Sequence, residues 1–65
     1  MGWASGSGLM SDIIKGLKKV EKDAAKREAI YCVLIDAFED ADCDTLYECE
    51  REDRAFKKAL NTERA

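Results

Sequence analysis

No histidine and no proline occur in the 65 residues, and only one of the four glycines, Gly16, lies beyond position 8. Without histidine the chain lacks the side chain most used for proton transfer near neutral pH and the commonest metal ligand. Without proline nothing interrupts a helix by ring geometry. Gly2, Gly6 and Gly8 crowd the start of the chain and leave no glycine-rich loop elsewhere to cradle a phosphate. No apolar run approaches the ~20 residues of a membrane span, and the first residues lack the basic start and apolar core of a signal peptide; the sequence predicts no membrane partner. Cysteines number three, with no CxxC pair. That count suits reduced thiols in a reducing compartment, or at most one bridge plus one thiol. With these groups missing and no room for a cleft, the sequence predicts no enzyme.

What is present favours helix. Hydrophobic residues make up 46% and charged residues 38% of the chain, with alanine, leucine, isoleucine, lysine and glutamate dominant. A chain this short forms one domain and buries only about 60% of its unfolded surface. It needs good helix packing or a partner subunit to be stable. Net charge is −3 but unevenly spread. Residues 1–35 balance to +2, residues 36–53 to −8, and residues 54–65 to +3. An acidic middle repels phosphate, so direct nucleic-acid binding is not expected, whereas a basic protein surface is a suitable partner.

Periodicity predicts an all-α fold, a small bundle of two main helices (about 7–21 and 24–40) and two short C-terminal helices (about 45–52 and 54–60), paired as a homodimer. Residues 1–6 read as an N-terminal arm anchored by Trp3, and residues 61–65 as a frayed tail. Ser7, or alternatively Ser5, is positioned to cap the first helix. Leu9, Met10, Ile13, Ile14, Leu17 and Val20 then form an apolar stripe, with Lys15, Lys18, Lys19 and Lys22 opposite. Asp23 reads as the next N-cap. In the second helix Ile30, Tyr31, Leu34, Ala37, Phe38 and Ala41 define the main face, while Val33 and Ile35 project elsewhere. Apolar residues on so much of one helix suggest packing on two sides. Core or dimer contacts are therefore expected at Leu9, Met10, Ile13, Ile14, Leu17, Ile30, Tyr31, Leu34 and Phe38. Thr45 and Glu48 have the spacing of a capping box, followed by Leu46, Tyr47 and Cys49 facing inward. Asp53 would cap the last helix, whose contact face is Phe56, Ala59 and Leu60.

Two constellations suggest metal chemistry and fail on their details. Asp40, Asp42 and Asp44 alternate like the start of a calcium loop, but the positions needing glycine and a bidentate glutamate hold Thr45 and Arg51. Cys32, Cys43 and Cys49 lack a fourth zinc ligand, and the latter two sit among carboxylates that oppose thiolate formation. No metal and no cofactor are expected. What remains is an acidic surface for a partner, formed by Asp36, Glu39, Asp40, Asp42, Asp44 and Glu48, with Trp3, Tyr47 and Phe56 as aromatic contacts. The plainer reading of the same acids is a solvated face that keeps the protein dispersed.

The segments GWASGS (Gly2–Ser7) and IYCVLIDAFEDADCDTLYE (Ile30–Glu48), separated by an amphipathic helix, resemble a group of short acidic proteins encoded by bacteriophages and prophages. In that group a G-W-A-S-G-S start precedes a helix, a second helix ends in an F/L-E-D segment, and D-x-D-T-x-x-E follows. The resemblance runs from Gly2 to about Leu60, and departs from the pattern at Cys43, where tryptophan is more usual. It implies a phage origin, expression in the bacterial host cytoplasm and an accessory role, and brings no enzymatic activity with it. The expectation is a small interaction protein that binds and modulates or inhibits a host protein, most concretely a bacterial defence or nucleic-acid-processing enzyme. The alternative is a non-inhibitory structural or assembly factor of a phage particle; a metal-binding domain is the least favoured reading.

Overall fold

The computed structural model describes residues 5–43 and 45–64, and among them every regular element is helical. Three α-helices, α1 (Gly6–Val20), α2 (Ala24–Asp40) and α3 (Arg54–Arg64), are joined by a tight turn and by a connection carrying a short 3-10 helix, Leu46–Cys49. Trp3 and Asp44, two of the expected partner contacts, lie outside the described residues.

The start of α1 is not capped by a serine side chain. Ser5 holds the N-cap position without a side-chain cap bond. Ser7 lies inside the helix and donates its Oγ to Glu48 Oε1 at 3.0 Å. At the other end Lys18 and Lys19 occupy the last turn, where positive charge suits the helix dipole. Glu21 is extended, and its carbonyl is taken by Arg27 Nη1 at 2.8 Å. Asp23 then caps α2, its Oδ1 accepting from the Ala25 N–H at 3.0 Å. This three-residue turn reverses the chain with its polar groups engaged.

The end of α2 is a Schellman motif built without glycine. The Cys43 N–H reaches the Phe38 carbonyl at 2.9 Å and the Asp42 N–H reaches the Glu39 carbonyl at 3.0 Å. Asp42 adopts φ 65°, the left-handed conformation the motif demands. Phe38 and Cys43, the pair that closes such motifs with an apolar contact, are both buried. Asp42, expected on the acidic surface, thus also terminates α2.

The connection departs from the expected α-helix over 45–52. Only Leu46–Cys49 is helical, and it is 3-10. Thr45 makes no side-chain cap bond. The Glu48 carboxylate accepts from Ser7, on α1. Leu46 and Cys49 are buried, whereas Tyr47 is 52% exposed rather than inward-facing. The last helix runs past the expected end at 60 to Arg64, with Thr62 Oγ1 donating to the Lys58 carbonyl at 3.0 Å.

The core draws on every element: Met10 and Ile14 from α1, Tyr31, Ile35 and Phe38 from α2, Cys43, Leu46 and Cys49 from the connection, and Ala55, Phe56, Ala59 and Leu60 from α3. Ile13, Leu17, Cys32 and Leu34 pack partly buried against it. Tyr31 and Phe56 meet edge to face, with centroids 5.3 Å apart and planes at 76°, an arrangement that places ring edge against ring face. Two expected core residues are elsewhere: Leu9 is 46% and Ile30 38% exposed. Ile35, read as projecting away, is fully buried instead of Ile30. A helix apolar on several sides does not reveal by periodicity which side faces in, and packing against α3 selects Tyr31, Ile35 and Phe38.

Candidate functional site

The acidic residues divide into an inner one and an outer set. Asp53 is the inner one. It sits at the head of α3, where its Oδ1 accepts from the Ala55 N–H at 3.1 Å. Its Oδ2 takes Arg27 Nε at 2.8 Å and the Tyr31 hydroxyl at 2.7 Å. Burial pushes the Asp53 carboxyl up, but the bonds from Arg27, Tyr31 and the Ala55 backbone outweigh it and hold the group below the ordinary carboxylate range. Arg27 is pushed up, first by its hydrogen bond to Asp53. The Tyr31 hydroxyl is pushed well above its usual range, first by burial and then by the same carboxylate. Among the described residues no buried side-chain nitrogen or oxygen lacks a partner. This network joins α2, the α1–α2 turn and α3, and Asp53 also contributes to the wall of an open groove beside α3. Its bonds tie these parts of the fold together. Asp53 lies within the acidic stretch of residues 36–53 but is an interior cap and not part of the acidic surface.

Its place before α3 marks Asp53 as a cap, but nothing in residue spacing shows that it is also buried against Arg27 and Tyr31. The signal that could have found the network is Tyr31: a tyrosine on a core-facing stripe needs a polar partner for its hydroxyl, and an Arg one helical turn earlier, at Arg27, calls for an acid beside both.

The outer set is the candidate binding site. Asp36 and Asp40 are exposed on α2, Glu39 is half-buried beside them, and Asp42 is exposed on the turn that follows. Three of these carboxylates, Glu39, Asp40 and Asp42, cluster at the negative end of the α2 dipole, and the last turn of α2 contains no basic residue. Glu63 of α3 adds to the group: it is pushed up, first by a hydrogen bond with Asp36, then by burial and by the charges of Asp36 and Glu39. Crowding that raises the Glu63 carboxyl in this way marks a negative surface. Glu48 and the exposed Tyr47 present a second acidic and aromatic pair from the 3-10 helix, with Ser7 bonded to the Glu48 carboxylate. Phe56, expected as an aromatic contact for a partner, is fully buried against Tyr31 and is a core residue. The cations gather elsewhere, where Lys18, Arg51, Arg54 and Lys57 line an open groove with Glu50, Glu52 and Asp53. Lys18 Nζ there donates to the Glu52 carbonyl at 2.8 Å.

The three cysteines are free thiols. Cys49 is buried and donates to the Ser7 carbonyl at 3.2 Å. Burial, then Glu52 and Glu48, push its pKa up to about 11. Burial also raises Cys32, followed by the charges of Glu63, Glu28 and Asp36. Neither is set up as a nucleophile. Among the described residues no group of three or more cysteines and carboxylates is placed to hold a metal ion, and no helix is long and apolar enough to cross a membrane. No protein-family model, curated protein or solved structure matches the chain.

Proposed function

We propose that the protein is a phage-type, all-helical protein-binding module that self-associates as a homodimer. It docks its acidic surface on a basic site of a host protein in the bacterial cytoplasm and modulates or inhibits that protein. A bacterial defence or nucleic-acid-processing enzyme is the most concrete target, because such enzymes carry cationic surfaces for phosphates that carboxylates can occupy. One observation carries the reading: the C-terminal end of α2 places Glu39, Asp40 and Asp42 at the negative pole of the helix with no base in its last turn. This arrangement is unfavourable for the isolated helix and is relieved by a cationic partner. Tyr47, exposed beside Glu48, supplies the aromatic contact.

The test is affinity capture from bacterial lysate at low and high ionic strength, with the native chain and a Glu39→Gln/Asp42→Asn/Glu48→Gln variant side by side. A partner retained at low salt, released at high salt and lost with the variant is the expected result. Capture that is indifferent to both salt and the three substitutions would overturn it. A second reading, a non-inhibitory structural or assembly factor of a phage particle, is favoured by the apolar outer face of α2. Its mark is stoichiometric presence in purified particles.

A further inference from the structure

α2 is apolar on two opposite sides. Tyr31, Ile35 and Phe38 are buried on one. On the other, half a helical circumference away, Ala29, Ile30, Val33 and Ala37 are all exposed, Val33 at 69%. Two charges frame this outer face, Lys26 near its start and Asp40 at its end, and both are exposed. Both also oppose the helix dipole: the first turn contains no acid and the last turn no base. Among the described residues neither Lys26 nor Asp40 has an ion-pair partner within the chain.

We infer that this face is the seam of the homodimer, with two α2 helices packed antiparallel about a twofold axis at Val33. The pattern is self-complementary in that one arrangement. Lys26 and Asp40 each lie seven positions from Val33 and Ala29 and Ala37 each lie four. Antiparallel pairing therefore sets Lys26 at the height of the partner's Asp40, and the twofold axis repeats the contact. It likewise sets Ala29 opposite the partner's Ala37, where two small side chains let the helix axes approach closely. Val33 meets the partner's Val33 at the centre. Each charge that is misplaced for its own helix then faces an opposite charge on the other. A parallel pairing would instead set Lys26 against the partner's Lys26 and Asp40 against the partner's Asp40. The seam takes up Asp40 and leaves Glu39, Asp42 and Glu48 outside it. A helix of 17 residues is about 25 Å long, and one such pair lies below the ~1,200 Å² typical of stable complexes. The association is therefore concentration-dependent.

This inference rests on the self-association part of the proposed function, and sedimentation equilibrium over a wide concentration range separates the two. Val33→Glu is accommodated by the monomer, since the side chain is exposed, and weakens the dimer roughly tenfold or more. Lys26→Asp and Asp40→Lys each weaken it about fivefold, although each improves the charge placement on its own helix and leaves the fold, read by circular dichroism, at least as stable. Combining them as Lys26→Asp/Asp40→Lys restores the dimer, because the reversed pair is again complementary across the twofold. A native chain that stays monomeric at every concentration overturns both the homodimer and the seam. A dimer untouched by Val33→Glu and by the single charge reversals leaves the homodimer standing and overturns the seam, as does a double reversal that fails to recover association.

Discussion

The Tyr31 hydroxyl donates to Asp53 Oδ2 across 2.7 Å, at the point where α2 and α3 cross their largest side chains. Asp53 is held at the same time by Arg27 and by the first turn of α3, so the two residues contribute unequally. Tyr31→Phe removes one bond to a charged group and keeps the ring against Phe56, at a cost of about 1.5 kcal/mol. Asp53→Ala removes the cap of α3 and leaves Arg27 and the Tyr31 hydroxyl without their acceptor, at a cost on the order of 3–5 kcal/mol. A domain this small has only a few kcal/mol in total, so Asp53→Ala should be largely unfolded at room temperature while Tyr31→Phe folds. Urea titrations of both variants check the order, and an Asp53→Ala chain as stable as Tyr31→Phe contradicts it.

The same network sets the acid limit of stability. The folded-state pKa of Asp53 lies below its ordinary value, so its contribution is present above about pH 4 and is lost as pH falls through the lower folded value. Glu63 is shifted the opposite way by Asp36 and opposes this loss. At alkaline pH the sign reverses. Cys49, raised to about 11, and Tyr31 and Cys32, also raised, each contribute stability that is complete below their ordinary values and lost as pH rises through the folded ones. Melting temperature against pH should form a plateau from about pH 5 to about pH 8 that falls on both sides. Asp53→Asn should lower the plateau and flatten its acid shoulder.

Gly16 offers a gain in stability that the fold does not use. It lies in the middle of α1 without a positive φ, and a Cβ built there meets nothing within 4 Å. Gly16→Ala should therefore stabilise the chain by about 0.5–1 kcal/mol through helix propensity and a less flexible unfolded state. A thermal melt that falls instead of rising would show that α1 is packed against something at this position.

The helical class was legible because apolar residues recur at three and four in α1 and α3, and Asp23 stands where a cap was expected. The inner face of α2 was not legible. Ile30, Val33 and Ile35 are chemically equivalent, and only packing against α3 distinguishes the buried Ile35 from the other two. The connection was not legible for a related reason: the Thr45 to Glu48 spacing is local, whereas Glu48 is bonded by Ser7, 41 residues upstream. Of the acidic surface, the charge run was visible as composition. That Asp53 leaves it for the interior, and that Glu63 joins it from the end of α3, depends on how the helices cross.

Asp42 links stability to the proposed site. It occupies the left-handed position of the Schellman motif at φ 65°, which glycine takes at no steric cost and other residues take at a cost of roughly 1 kcal/mol. Its carboxylate also stands near the negative pole of α2, beyond Glu39 and Asp40, where a negative charge is unfavourable. Asp42→Gly should relieve both and stabilise the fold by about 1 kcal/mol, with the Cys43 to Phe38 and Asp42 to Glu39 backbone bonds retained. The same substitution removes one carboxylate from the docking surface, so capture of a cationic partner should weaken while the melting temperature rises. Asp42→Asn separates the two effects, since asparagine tolerates the left-handed conformation and lacks only the charge. Equal loss of partner with Asp42→Gly and Asp42→Asn assigns the binding effect to the carboxylate. Undiminished capture by both variants would remove Asp42 from the site and leave the use of aspartate rather than glycine at this position without a binding role.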